Sequence, residues 1–318
     1  MTDLLSKDPN QASPEELFNA GKAYFLGEKV HQDLEKALEF WHLSADKGHP
    51  LAQLNLALAY YTGEGVEKDL DQVVKYLRLA AEQGNAQAQS KLGQAYYNAV
   101  GLEKDFFQAT KYWRLAADQG FSEAQLWLGQ AYLNGEGVEQ DISQAVKYWK
   151  LAADQGNPKA LCNLGQSYNS GHGVEQDLSK AVEYWRLAAD MGDSVAQFNL
   201  GTAYNFGNGV EQNFTLAIKY WLLAAAQGDF YAVCNLGNAY YFGTGVEKDP
   251  AQAIKYWSLA AYQGNANAQF NLGLAFENGE CVEKNLDQAL HFYQLAAKQG
   301  FPQAVEKLLE MKAQSNNP

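Results

Sequence analysis

Residues 128–160 read LGQAYLNGEGVEQDISQAVKYWKLAADQGNPKA, and the same pattern returns along the chain at a step of 36 residues. The glycine that closes each copy falls, without one insertion, at positions 48, 84, 120, 156, 192, 228, 264 and 300. An invariant step of this length is typical of stacked supersecondary units, none of which can bury its apolar face alone. The pattern therefore predicts one elongated array for these 318 residues.

The glycine pair Gly135-Glu136-Gly137-Val138 has the composition of a phosphate-binding loop. Such a loop lies between a strand and a helix, and one copy serves one site. Here GEGV, GHGV, GNGV and GTGV together occupy the same place in five units, and degenerate forms stand at Gly27, Gly101 and Gly279. We therefore expect a turn between helices at this position, with no nucleotide site and no cofactor.

The chain carries 24 Lys and Arg against 37 Asp and Glu, which gives a net charge of −13. Nucleic acids and anionic membrane surfaces are bound through an excess of Lys and Arg, so a basic or neutral partner fits better. The first residues, MTDLLSKDPNQAS, lack the apolar run of a secretory signal, and no stretch is long enough to cross a bilayer. We expect a cytoplasmic location.

Each unit is predicted to be a pair of helices. In residues 84–119 the apolar residues of the first half follow an i, i+4, i+7, i+8 pattern, which indicates a helix A of about 13 residues with Asn85 as its N-cap. After the glycine turn, Asp105 is expected to cap helix B, with Gln108 completing a capping box. Helix B should end at Gly120, which suits the position after a helix C-terminus.

Helix A contains a glycine in its interior, although glycine costs about 1 kcal/mol there relative to alanine. The slot is held by Gly21, Gly93, Gly129, Gly165, Gly201, Gly237 and Gly273, with Ala57 as the exception. A recurrent smallest residue indicates a close helix crossing with aromatic side chains around it. Helix B supplies Trp41, Trp113, Trp149, Trp185, Trp221 and Trp257, with Leu77 and Tyr293 in the remaining units. We expect these side chains to be core residues and not a cofactor box.

The ends of the chain also fit an array. Residues 1–11 are predicted to be a polar extension, Ser13 and Pro14 open the first helix, residues 300–313 form a polar-faced capping helix, and residues 314–318 a disordered tail. Between the ends, the eight predicted repeats are 12–47, 48–83, 84–119, 120–155, 156–191, 192–227, 228–263 and 264–299.

The combination LGxxY, GxGV, D, AxxYW and AAxxG at this period resembles the Sel1-like repeat, a relative of the tetratricopeptide repeat. The resemblance covers residues 12–313 and implies an all-α, right-handed superhelical solenoid. It also implies an adaptor or scaffold, of bacterial type, that binds a protein or peptide on its concave face. One secreted branch of the family pairs cysteines in every repeat and is linked to β-lactam binding and hydrolysis, but this chain lacks those cysteines.

The residues themselves do not favour an enzyme. Ser44-Ala45-Asp46-Lys47 matches the Ser-x-x-Lys of penicillin-recognising enzymes, yet Ser44 takes an alanine slot at the end of helix B and the partner motifs are missing. The five histidines fall at different repeat positions without metal-ligand spacing, so no metal is expected. Cys162 and Cys234 stand two units apart, too far for a disulfide.

A polar row on helix A is the first candidate binding surface. Seven residues after each unit glycine the chain places Asn55, Lys91, Trp127, Asn163, Asn199, Asn235 and Asn271. In related tetratricopeptide modules a similarly placed asparagine holds the backbone of a bound peptide, which an amide can do as both donor and acceptor. Alternatively, these asparagines only bond a neighbouring helix.

An aromatic cluster is the second candidate. Position fourteen of helix A is polar in most units but becomes Phe206 and Phe242 in two adjacent ones, and position three becomes Tyr231. Aromatic residues on an otherwise polar face are typical of a binding hot spot. The alternative is that these rings fill a locally wider gap between helices.

Helix B adds a basic stripe, which either holds an acidic tail or is a solvated face balancing the turn carboxylates. It consists of Lys75, Arg78, Lys111, Arg114, Lys147 and Lys150. Taken together, the patterns predict a non-enzymatic scaffold, monomeric or weakly oligomeric. A β-lactam-binding or hydrolysing enzyme and a purely structural or consensus-like array remain the alternatives.

Overall fold

The repeated pattern folds into helical hairpins. The computed structural model describes residues 11–315, and all the regular elements in that range are α-helices, seventeen in number. The helices form two compact units, each of which contains several repeats. The first compact unit comprises α1 Pro14–Leu26, α2 Leu34–Asp46, α3 Pro50–Thr62, α4 Leu70–Glu82, α5 Ala86–Asn98, α6 Phe106–Asp118, α7 Ser122–Asn134 and α8 Ile142–Ala153. The second comprises α9 Pro158–Ser170, α10 Leu178–Asp190, α11 Ser194–Phe206, α12 Phe214–Ala226, α13 Phe230–Phe242, α14 Pro250–Tyr262, α15 Ala266–Asn278, α16 Leu286–Lys298 and α17 Pro302–Ser315.

The two units divide after residue 157, and within each unit consecutive helices pack against one another. Odd-numbered helices up to α15 are the predicted helices A, and even-numbered helices are the helices B. Together they form an all-α solenoid. The predicted extension at residues 1–11 and tail at 314–318 lie largely outside the described residues, and α17 continues to Ser315.

Local chemistry sets the helix ends as expected. The Asn85 side chain accepts from the N–H of Ala88 at 2.8 Å, and the Asp105 side chain accepts from the N–H of Gln108 at 2.9 Å. After helix A, Gly135 adopts a φ of +72°, which closes the helix and confirms that the glycine pair forms a turn.

The capping box predicted for helix B is wrong in its second half. The N–H of Asp105 does not donate to the side chain of Gln108; it donates to the carbonyl of Tyr96 on the preceding helix A, at 3.1 Å. The same bond joins Asp141 to the Tyr132 carbonyl at 2.9 Å. The glycine turn is therefore closed by a backbone hydrogen bond between the two helices. Because this bond uses the N–H of the N-cap residue, that N–H is not left for the glutamine side chain of a capping box.

The helix A glycine and the helix B tryptophan form one packing unit. All six predicted tryptophans are buried, which confirms their assignment to the core. A Cβ placed on Gly129 would lie 2.5 Å from Nε1 of Trp149, well inside normal contact distance, so this slot admits only glycine while the indole is present. Ala57 is tolerated because its partner on helix B is Leu77.

A glutamine pair, one member buried and the other exposed, lies where neighbouring hairpins meet. Gln119 on the turn after α6 donates to Oε1 of Gln89 on α5 at 2.8 Å, and Gln89 donates to the carbonyl of Ala81 on α4, in the preceding hairpin, at 3.1 Å. Each amide therefore satisfies a buried polar group of its neighbour. In the hairpin of α9 and α10 both members are replaced, by Leu161 on α9 and by Met191 directly after α10.

Candidate functional site

The aromatic residues predicted on helix A are exposed. Phe206 ends α11 with 66% of its surface accessible, Phe242 ends α13 with 70%, and Tyr231 near the start of α13 has 53%. The alternative in which these rings fill a gap inside the array is therefore wrong. Burial of exposed phenylalanines against a partner stabilises a complex by about 1.5–3 kcal/mol per side chain.

Phe206 and Phe242 flank one groove of about 330 Å³ between α11 and α13, with α12 behind it. The buried Trp221 and the partly exposed Phe214 supply its aromatic wall. Asn235, from the predicted polar row, also lines it. We call this space the α11–α13 groove, and the described residues that line it include no charged side chain, which is notable in so acidic a chain.

Tyr231 lies apart from the groove. Its ring packs against Phe230 at a centroid distance of 4.5 Å and against Phe198 of α11 at 6.0 Å. Because Tyr231 is four residues before Asn235 on α13, the two side chains occupy the same helix face one turn apart. Tyr231 therefore extends the exposed face of α13 beyond the groove without lining it.

The asparagine row does not behave as one set. Asn271 donates to Oδ1 of Asn238 at 2.9 Å, and the indole of Trp257 donates to the same oxygen at 3.0 Å, so Asn271 bonds a neighbouring helix. Within residues 11–315, by contrast, the half-buried amides of Asn199 and Asn235 find no hydrogen-bond partner. The side chains of Asn55 and Asn163 are also half-buried.

Two members of the row are not asparagine, and both lie in the first compact unit. Trp127 stacks on the core residue Trp113 at 5.9 Å and approaches Tyr97 at 6.5 Å, so it packs as part of the array. Lys91 lines a second, smaller pocket of about 130 Å³ between α3 and α5. The sequence pattern alone signalled neither role.

The Ser-x-x-Lys match has a structural explanation. Ser44 is fully buried and its hydroxyl donates to the carbonyl of Pro14 at 2.6 Å, while Nζ of Lys47 donates to the carbonyl of Ala12 at 2.7 Å. Both side chains thus bind the start of the first hairpin. Ser44 is not placed to meet a substrate.

The histidines that make contacts also serve packing. His42 lies between two tyrosine hydroxyls, 3.1 Å from that of Tyr76 and 3.4 Å from that of Tyr60, and its burial lowers its pKa. His49 caps α3 through Nδ1 and contacts Glu15 through Nε2 at 2.8 Å. In residues 11–315 no group of three or more His, Cys, Asp or Glu side chains is arranged to hold a metal ion.

The three cysteines are free thiols, as the spacing predicted for Cys162 and Cys234. Burial raises the pKa of both buried thiols, that of Cys234 to about 12, so neither is a ready nucleophile. Cys281 is exposed in the turn before α16.

The basic stripe on helix B is exposed along its length. Nζ of Lys111 lies 5.6 Å from the ring centre of Tyr112, and Arg114 donates to the hydroxyl of Tyr132 at 2.8 Å. These contacts favour the solvated face over a tail-binding site. None of the helices within residues 11–315 combines the length and the apolar character that a membrane span requires.

Comparisons with known proteins agree with this geometry. A protective antigen of uropathogenic Escherichia coli, which displays an SLR fold, is 33% identical with a TM-score of 0.84, matching 98% of this chain and 67% of its own. A Sel1 repeat protein from Oxalobacter formigenes is 29% identical with a TM-score of 0.71, matching 98% of this chain and 90% of its own. A comparison with curated proteins gave no match.

The family model described as Sel1 repeat matches eight consecutive segments. They are residues 17–49, 50–85, 86–121, 122–157, 158–193, 194–229, 231–265 and 266–301. These segments leave only residues 1–16, 230 and 302–318 unmatched, and the resemblance inferred from the repeated motifs is confirmed. The chain belongs to the Sel1 repeat family.

Proposed function

We propose that the chain is a non-enzymatic scaffold that holds a segment of another protein in the α11–α13 groove. Sel1 repeat solenoids commonly mediate protein–protein interactions. The observation that carries the proposal is the pair Phe206 and Phe242, two highly exposed rings on either side of one groove. Exposed aromatic pairs of this kind are typical anchors of a protein interface.

The groove also offers a backbone contact. The amide of Asn235 is half-buried, lines the same groove as the two rings and has no hydrogen-bond partner within residues 11–315. A side-chain amide presents one acceptor and two donor hydrogens, so it can pair with both groups of a peptide unit. An extended segment would place its side chains against Phe206 and Phe242 and its backbone against Asn235.

The lining limits the partner's chemistry. Among the residues that the structure describes, no charged side chain lines the α11–α13 groove, so a charged residue entering it would lose hydration without gaining an ion pair there. The bound segment is therefore uncharged and carries at least one large apolar side chain. The remainder of the partner is neutral or basic, since the chain has a net charge of −13.

The test uses variants that copy the other repeats. Asn98 and Asn134 hold the position of Phe206 and Phe242, so the double variant Phe206→Asn/Phe242→Asn should fold normally. The matched control is Phe107→Asn, which removes a phenyl ring of the same 66% exposure from α6 in the other unit.

Peptides are selected from a random library on the wild-type protein, and the affinity of each is measured by calorimetry. The proposal expects apolar, uncharged sequences whose affinity falls at least about tenfold in the double variant and is unchanged in the Phe107 control. If the double variant bound these peptides as tightly as the Phe107→Asn control does, the two rings would not be the anchors. Nitrocefin turnover by the purified protein would instead support the hydrolase alternative.

A further inference from the structure

The second repeat, residues 48–83, differs from its neighbours at three positions, all of them connected with the helix B tryptophan. Ala57 replaces the helix A glycine, Leu77 replaces the helix B tryptophan, and Leu58 replaces a residue that is polar in most other units. In two later repeats that polar residue accepts the indole N–H: Trp221 donates to Thr202 at 3.4 Å, and Trp257 to Asn238 at 3.0 Å.

These three replacements have one physical explanation. Without an indole, no N–H requires an acceptor, so an apolar Leu58 costs nothing. Without an indole, the Cβ of Ala57 also meets no ring, whereas a Cβ on Gly93 would lie 2.6 Å from Trp113. The repeat has therefore lost an aromatic side chain, the glycine that makes room for it, and the polar residue that accepts its N–H in two later repeats.

The loss leaves a pocket of about 130 Å³ among α3, α4 and α5. Its floor is formed by the buried side chains Ala57, Val73, Leu77 and Ala95. Its rim carries the exposed Tyr61 and Asn98 and the half-buried Lys91. An apolar cavity of about 150 Å³ can accommodate a benzene molecule, so this pocket is of the size of a single aromatic ring.

Lys91 gives the pocket a charge preference. It alone is charged among the described residues that line the pocket, and no ion pair within residues 11–315 includes it. In the α11–α13 groove the corresponding residue is the neutral Asn235. The two sites therefore select different ligands: the groove favours uncharged groups, and the pocket favours an anion.

We propose that this pocket binds a group that combines one aromatic ring with a nearby carboxylate, with the ring against Leu77 and the carboxylate beside Nζ of Lys91. Two sources share this chemistry: a free aromatic acid, and the C-terminal phenylalanine of a peptide. The site lies in α3–α5, outside the α11–α13 groove, so it does not depend on the function proposed for the groove.

The first experiment titrates benzoate into protein labelled at its Ala, Leu and Val methyl groups and follows the methyl NMR signals. We expect saturable shifts at Ala57, Leu77 and Ala95, with a dissociation constant on the order of 1 mM for so small a ligand. Lys91→Gln should weaken benzoate about fivefold and leave the uncharged benzamide unaffected. The absence of shifts at these three residues up to the solubility limit of benzoate would overturn the proposal.

The second experiment fills the pocket. Ala57→Gly/Leu77→Trp restores the pair found in the other repeats, so the variant should fold, and benzoate binding should fall at least about tenfold. Unchanged binding would refute the assignment of the site. A short acetylated peptide ending in Phe distinguishes the sources: tighter binding than benzoate, lost in the filled variant, identifies a chain terminus, and binding of benzoate alone identifies a free acid.

Discussion

Replacing Gly129 by alanine tests the central packing rule of the fold. The added Cβ would lie 2.5 Å from Nε1 and 2.6 Å from Cδ1 of Trp149, and 3.0 Å from the carbonyl oxygen of Ala145. Non-bonded carbon atoms normally approach to about 3.5–4.0 Å, so either the indole or the α8 backbone must move by about 1 Å.

The size of the effect follows from three contributions. Overpacking of a core costs about 1–3 kcal/mol. Displacing the indole also weakens its hydrogen bond from Nε1 of Trp149 to the Leu126 carbonyl, now 3.3 Å, at a cost of about 1 kcal/mol. The better helix propensity of alanine offsets about 1 kcal/mol. We therefore expect the free energy of unfolding to fall by about 2 kcal/mol.

The assay is guanidinium unfolding followed by far-UV circular dichroism. Because repeat arrays can unfold in parts, amide hydrogen exchange in α7 and α8 reports the local loss. The double variant Gly129→Ala/Trp149→Leu copies the Ala57/Leu77 pair, so its destabilisation should be smaller than the sum of the single effects by about 1–2 kcal/mol. A Gly129→Ala protein as stable as the wild type, or single effects that simply add, would refute the reasoning.

Three further predictions concern individual side chains. In the native protein, Ellman's reagent should modify Cys281 quickly and the buried Cys162 and Cys234 only after unfolding; fast reaction of all three would contradict the burial of the last two. Burial lowers the pKa of His42 in the folded state, so the unfolded state binds more protons in its titration range; stability should fall as the pH drops from 8 towards about 5, and His42→Gln should flatten that dependence of the unfolding free energy. Asn85→Ala removes the N-cap bond of α5 and should lower the unfolding free energy by about 1 kcal/mol, whereas Asn85→Asp, which retains an acceptor oxygen, should have little effect.

The parts of the fold that depend on local chemistry could be predicted from the sequence. The caps at Asn85 and Asp105 form because each side chain reaches a backbone N–H three residues away, a distance that the helix itself sets. The glycine in helix A predicted a close helix crossing, because glycine destabilises a helix interior and needs a packing reason to recur there. The contact between Gly129 and Trp149 confirms that crossing.

The parts that depend on contacts between hairpins could not. A glutamine such as Gln89 is usually exposed, and its burial follows only from its partner Gln119, 30 residues later. At the candidate site, helical spacing correctly put Phe206 and Phe242 on an exposed face, but the position of Tyr231 outside the groove depends on its contact with Phe198. Helical spacing tells on which side of its own helix a residue lies, but not which residue of another helix packs there.

The backbone bond from each helix B cap to an aromatic residue's carbonyl on helix A, a tyrosine in all but the last repeat, constrains how such a gene can change in length. Inserting one residue between Tyr132 and Asp141 would break their 2.9 Å bond, and inserting one residue within a helix would rotate everything beyond it by about 100°. Adding or removing a complete 36-residue copy leaves the sequence register of each such bond unchanged. Duplication and loss of whole copies are therefore the length changes this architecture accepts, and each new copy arrives with face positions free to diverge.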